Sequence, residues 1–142
     1  RGMIVTILWR LEASPEADGQ TGFTDVADGA WYADAVNWAA GQDIVEGYNG
    51  GFGPEDIITR EQMALILYRY AQYKGYDVSA SGELSSFTDG ASTSSWAAEA
   101  VRWAVGSGLL SGKGSGVLDP RGTATRAEAA SIFMRFARTV ME

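Results

Sequence analysis

Nine arginines stand against two lysines, Lys74 and Lys113, in this chain. Arginine holds a carboxylate or phosphate through two parallel hydrogen bonds, which the point charge of lysine does not. Two of these arginines follow a threonine where an apolar helical pattern begins, at Thr59-Arg60 and Thr125-Arg126. A cation at the first helical position opposes the helix dipole by a few tenths to about 1 kcal/mol. Repeating that choice calls for a reason. Arginine beside open helix-terminal N–H groups makes an anion site. The alternatives are a solvated arginine that tolerates the dipole, or a structural bridge to Asp25 or Asp89 of a neighbouring copy.

Other residue types bound the chemistry. Histidine and cysteine are both absent, so imidazole bases, thiolate nucleophiles and thiolate zinc sites are excluded. Asp25, Glu46, Asp56 and Asp89 supply carboxylates, but nothing fixes a pair at the separation that glycoside hydrolysis needs, and no enzyme is expected. Asp25 to Gly29 lacks the spacing of a calcium loop. Gly112-Lys113-Gly114-Ser115-Gly116 lacks the order of a phosphate-binding loop and is expected to be a turn. No cofactor and no metal is expected.

The net charge of −7 argues against broad nucleic-acid binding, which needs a basic face. The chain is 46% hydrophobic and 20% charged, a globular composition. No apolar run approaches the ~18 residues of a membrane span, so no membrane insertion is expected. The absence of cysteine fits an exported bacterial protein. Residue 1 falls inside a helical pattern, which suggests a piece of a longer chain.

These residues are arranged in a repeat. Phe23-Thr24-Asp25 aligns with Phe87-Thr88-Asp89, Trp31 with Trp96, Trp38-Ala39 with Trp103-Ala104, Gly47 with Gly112, Pro54 with Pro120, Thr59-Arg60 with Thr125-Arg126, and Arg69 with Arg135, at spacings of 64 to 66 residues. Arg1 to Arg10 aligns with Arg60 to Arg69 at a spacing of 59. The chain therefore divides into the final helix of a truncated first copy at 1–14, a second copy at 23–74 and a third at 87–140. Ala13–Gly22 and Gly75–Ser86 are linkers.

Each copy predicts a short helix and a long one. Trp31, Ala35, Trp38 and Ala39 share one helical face over 31–40. The long helices open at Thr59 and Thr125, with Gln62 and Glu128 three residues on, the pattern of a capping box. Met63, Ile66, Leu67, Tyr70 and Ala71 form an apolar stripe. Ala129, Ile132, Phe133, Phe136 and Ala137 form the next, and Ile4, Ile7, Leu8 and Leu11 the truncated one. One copy is too small to bury its own stripe, so the three are expected to pack about a pseudo-threefold axis in a mainly α bundle with short helices and long loops.

The order F-T-D, W plus a short helix, G-I/L-x-x-G, G-x-F/L-x-P and T-R-x-E/Q resembles the S-layer homology repeat, over nearly the whole chain. The resemblance implies a mostly helical three-repeat spindle with grooves between adjacent repeats. It implies noncovalent anchoring of a bacterial surface protein, outside the cell, to a secondary cell-wall polysaccharide that often carries pyruvylated amino sugar. Carried over by position, the site residues are Arg60, Arg126 and Arg1, then Asp25 and Asp89, Trp31 and Trp96, and the groove glycines Gly47 and Gly112. Gln62 departs from the family glutamate and loses any ionic role. The first copy lacks its threonine cap and its Phe, Asp and Trp.

The residues themselves leave roles open. Trp31 and Trp96 either stack on a sugar or join the core, where Trp38 and Trp103 are expected. Asp25 and Asp89 either meet ligand hydroxyls or cap the following turn. Gly47 and Gly112 either relieve the backbone or offer it to a ligand. A second function class also fits: a protein–protein module, whose exposed stripe at residues 4–11 is completed by another chain or by self-association.

Overall fold

The computed structural model describes residues 1–17, 23–27, 29–46, 51–54, 57–112 and 116–141. Five α-helices carry it: α1 Gly2–Leu11, α2 Ala33–Gly41, α3 Arg60–Lys74, α4 Ala98–Gly106 and α5 Arg126–Thr139. Two 3₁₀ turns, Leu84–Ser86 and Gly90–Ser92, precede α4. Among the described residues there is no strand beyond an isolated bridge between Thr59 and Thr123. The fold is a helical repeat architecture, as the periodicity predicts. Among the described residues no helix is long and apolar enough to cross a membrane.

Two compact units form, Arg1–Ile57 and Ile58–Glu142. They run half a copy out of phase with the sequence repeats. Each unit opens with the long helix of one copy and continues into the short helix of the next. In the first unit α1 packs on α2; in the second α3 packs on α4. The cause is the one the stripes predict: a long helix has no apolar surface within its own copy large enough to cover it.

In the first unit Ile4, Val5 and Leu8 of α1 are buried, as are Ala35, Val36, Trp38 and Ala39 of α2. The stripe at 4–11, expected to be exposed for a partner chain, is instead largely covered within the unit where α1 packs on α2, and of its residues only Leu11 is exposed. In the second unit α3 buries Met63, Ile66, Leu67, Tyr70 and Ala71. Trp103 of α4 meets Phe136 of α5 edge to face, with ring centroids 6.3 Å apart, and Tyr70 lies 6.1 Å from Phe136. Both Trp38 and Trp103 are core residues. The stripe of α5 is only partly buried: Ile132 and Phe136 are inside, while Ala129, Phe133 and Ala137 are half-buried.

The caps differ between the two long helices. Thr59 and Gln62 close a full capping box at α3, and Gly75 ends that helix in the left-handed region at φ 77°, where glycine carries no Cβ penalty. At α5 only half the expected box forms: the Glu128 amide donates to Thr125 Oγ1. The Glu128 carboxylate turns instead to Arg60, 3.4 Å away. Gln62 stays on its own cap, where its Oε1 accepts the Thr59 amide at 2.9 Å.

Candidate functional site

The second unit builds its site from a loop held at both ends. Asp89 accepts the Leu118 amide on Oδ1 and the Asp119 amide on Oδ2, both at 2.8 Å. The Leu118 bond is the main cause of a carboxyl pKa below the ordinary aspartate value, and the charge of Arg60 adds to it. Arg60 is 6% exposed. Its Nε donates to the Leu118 carbonyl at 3.1 Å and its Nη2 to the Ser111 carbonyl at 2.7 Å. Its Nη1 meets Glu128 Oε2 at 3.4 Å. The α3 amides of Arg60 and Glu61 donate to the carbonyls of Gly122 and Pro120.

The first unit repeats this wiring. Asp25 accepts the amides of Phe52 and Gly53, both at 2.8 Å, and the Phe52 bond leads in lowering its pKa. Arg1 donates from Nη2 to the Glu46 carbonyl at 3.0 Å, and its guanidinium lies 4.6 Å from the Phe52 ring centroid. The Gly2 amide donates to the Pro54 carbonyl. Glu46 aligns with Ser111, and Phe52 with Leu118. The repeating arginines of the first two long helices, Arg1 and Arg60, thus grip the loop of the following copy.

Several sequence expectations are corrected by these contacts. The ion-pair partner of Arg60 is Glu128 and not an aspartate of the F-T-D motif. Among the described residues the aspartates reach across 27 to 30 positions to a loop, and Asp89 makes no side-chain cap bond to the turn that follows it. The first amides of α3 are already bonded to protein carbonyls, so they offer no open anion cradle. The dipole cost of Arg60 is offset by its buried carbonyl partners.

Beside Arg60 lies a groove of about 270 Å³, lined by Leu109, Leu110, Ser111, Gly112, Glu128, Ser131, Ile132 and Arg135 as well. Its α5 wall follows helical spacing: Glu128, Ser131, Ile132 and Arg135 fall at i, i+3, i+4 and i+7, one face of the helix. The charges in the groove are two guanidiniums and one carboxylate. At Gly112 a Cβ would come 3.2 Å from both Phe87 Cε1 and the Val117 carbonyl, a tight approach to which one of the two neighbours would have to give way. Gly112 both relieves that approach and lines the groove.

The remaining expected residues are dispersed. Trp31 and Trp96 are exposed, at 61% and 54%, so they present aromatic surface to solvent. Arg126 is exposed at the start of α5 and makes no hydrogen bond or ion pair among the described residues. Gly47 lies outside the described residues. The structure brings together Arg60, Asp89, Gly112 and Glu128 in the second unit, and Arg1 with Asp25 about Phe52 in the first.

Two residues at the site escaped the motif-based reading. Arg135 lines the groove, and its repetition as Arg69 and Arg10 was the available signal. Glu61 is 3% exposed and accepts from the Ser94 amide at 2.9 Å and the Ser94 hydroxyl at 2.7 Å. It fixes the turn that leads to Trp96. Its counterparts are Gly2 and Ala127, so the repeat comparison gave it no emphasis.

The S-layer homology domain family matches residues 22–64 and 86–130. The chain is 41% identical over 114 residues to an exoglucanase, XynX, of Acetivibrio thermocellus, covering 78% of this chain and 10% of that protein. It is 36% identical over 95 residues to a cellulosome-anchoring protein of the same organism, covering 66% and 21%. It is 32% identical over 124 residues to a surface-layer 125 kDa protein of Lysinibacillus sphaericus, covering 84% and 10%. The chain thus spans about a fifth or less of these relatives' lengths. Family and relatives place it at the extracellular cell surface. With both longer copies matched, the chain belongs to the S-layer homology family, as a cell-wall anchoring module rather than a catalytic one.

Proposed function

We propose that this module anchors its parent protein noncovalently to an anionic secondary cell-wall polysaccharide, with the carboxylate of a pyruvylated amino sugar as the charged handle. The observation that carries the reading is the groove beside Arg60. It gathers two guanidiniums against one carboxylate in a chain whose net charge is −7. Its volume of about 270 Å³ is at the low end for ligand sites, ~300–1,000 Å³, and suits one substituted sugar of a longer polymer. The close backbone packing at Gly112 and the Arg60 bonds to the Ser111 and Leu118 carbonyls supply preorganisation. Trp31, Trp96 and Arg126 are exposed and available to neighbouring sugars, and the Asp25 and Asp89 clamps hold the loops such sugars would lie against. The test is calorimetric titration of the chain with purified pyruvylated wall polysaccharide. Saturable binding that weakens with salt supports the reading, and no heat of binding at any salt concentration contradicts it.

A second reading, self-association or complementation by a partner chain, draws on Arg126. Arg1 and Arg60 each grip a loop carbonyl, whereas the third arginine has no such contact among the described residues. Sedimentation velocity over a range of chain concentrations separates the two: association predicts a concentration-dependent mass, and wall binding alone predicts none.

A further inference from the structure

We infer that Arg135, not the motif arginine Arg60, is the cation that meets the ligand's carboxylate in this groove, and that Glu128 is the counter-charge that sets its selectivity. The inference rests on the wall-polymer reading above and names the specificity-determining residues within it.

Arg60 is committed to the protein. Each of its three guanidinium nitrogens donates to a protein oxygen, on Leu118, Ser111 and Glu128, and only 6% of the residue is exposed. A bidentate carboxylate contact needs two N–H groups pointing together into the site. Each Nη of Arg60 keeps one further N–H, but Nε and Nη2 are held by the Leu118 and Ser111 carbonyls, so the fork cannot be re-aimed at a ligand without losing a buried carbonyl bond. Arg135 is the opposite case. It is exposed, it lines the same groove, and among the described residues its side chain makes a single hydrogen bond, from Nη1 to the Leu109 carbonyl at 3.4 Å, against three for Arg60. Its fork can turn to a ligand at little cost.

Glu128 stands two helical turns before Arg135 on the same face of α5. Its side chain is 32% exposed, so its charge faces any anion that enters. With Glu128 ionised the three groove charges sum to +1. That favours a singly charged carboxylate and weakens the hold on it. An arginine-only groove would hold any polyanion.

The experiment is titration of pyruvylated wall polysaccharide, and of the same polymer with its pyruvyl groups removed, into the unaltered chain and four variants. Arg135→Gln is expected to lose at least tenfold in affinity for the pyruvylated polymer and its preference over the stripped one. Arg135→Lys, which keeps charge without the fork, is expected to recover part of the loss. Glu128→Gln is expected to bind several-fold tighter. Arg138→Gln makes the same charge change as Arg135→Gln on an exposed position outside the groove lining, and is expected to bind as the unaltered chain does. Matching urea midpoints for the Arg135 variants separate lost binding from lost fold. Equal binding by Arg135→Gln and the unaltered chain overturns the inference alone. Weaker binding by Glu128→Gln overturns the role of Glu128. No binding by the unaltered chain overturns the wall-polymer reading and this inference with it.

Discussion

Arg60 Nη2 donates to the Ser111 carbonyl oxygen across 2.7 Å, tying the start of one copy's long helix to the loop of the next copy. Arg1 makes the matching bond to the Glu46 carbonyl at 3.0 Å. The motif arginine is therefore a clamp between successive copies. It explains why the compact units begin at the long helix and not at the F-T-D motif that opens each sequence copy.

If Arg60 is a clamp, its loss unfolds before it unbinds. Arg60→Ala leaves the Leu118 and Ser111 carbonyls without their donor, an expected cost of about 2–4 kcal/mol. Arg60→Lys recovers less than half, because an ammonium cannot span both carbonyls in the geometry of the fork. Urea unfolding followed by circular dichroism measures both.

The aspartate clamps make the fold sensitive to acid. Backbone N–H bonds hold the Asp25 and Asp89 carboxyls below the ordinary aspartate value. A depressed folded pKa contributes stability that is fully present above the unfolded value, about 3.9. That stability is lost as pH falls through the lower folded value. The urea midpoint is expected to drop below pH 4 in the natural chain. In Asp25→Asn with Asp89→Asn, whose amides place an NH2 donor where the second carboxylate oxygen accepted a backbone N–H, the midpoint starts lower and the acid limb flattens.

Trp103 is 1% exposed, and its indole N–H has no hydrogen-bond partner among the described residues. Trp103→Phe removes that unsatisfied donor, and the gain offsets part of the lost contact. An expected cost of about 1 kcal/mol follows, against 3–5 kcal/mol for Trp103→Ala, which opens a cavity between α4 and α5. Thermal or urea unfolding of the two variants gives the comparison.

The helices, their caps and the burial of Trp38 and Trp103 were legible because period and cap chemistry act within a few residues of each other. The clamps were not. The bond from Asp89 to the Leu118 amide spans 29 positions, and nothing about Leu118 as a residue type marks its backbone as the partner. The same holds for Arg60: its acceptors are main-chain carbonyls, which every residue has, so composition cannot single them out. Glu128 shows the limit differently. Its type and spacing fit a capping box equally well, and only the approach of Arg60 decides that the carboxylate leaves the cap.

Recognition of a charged wall polymer is measured most directly as the affinity of the unaltered chain for pyruvylated polysaccharide against the same polymer stripped of pyruvate. Binding to the first that falls at least tenfold on the second, with the difference shrinking as salt rises, is the predicted result. Equal affinity for both polymers contradicts a carboxylate handle and removes the role assigned to the groove beside Arg60.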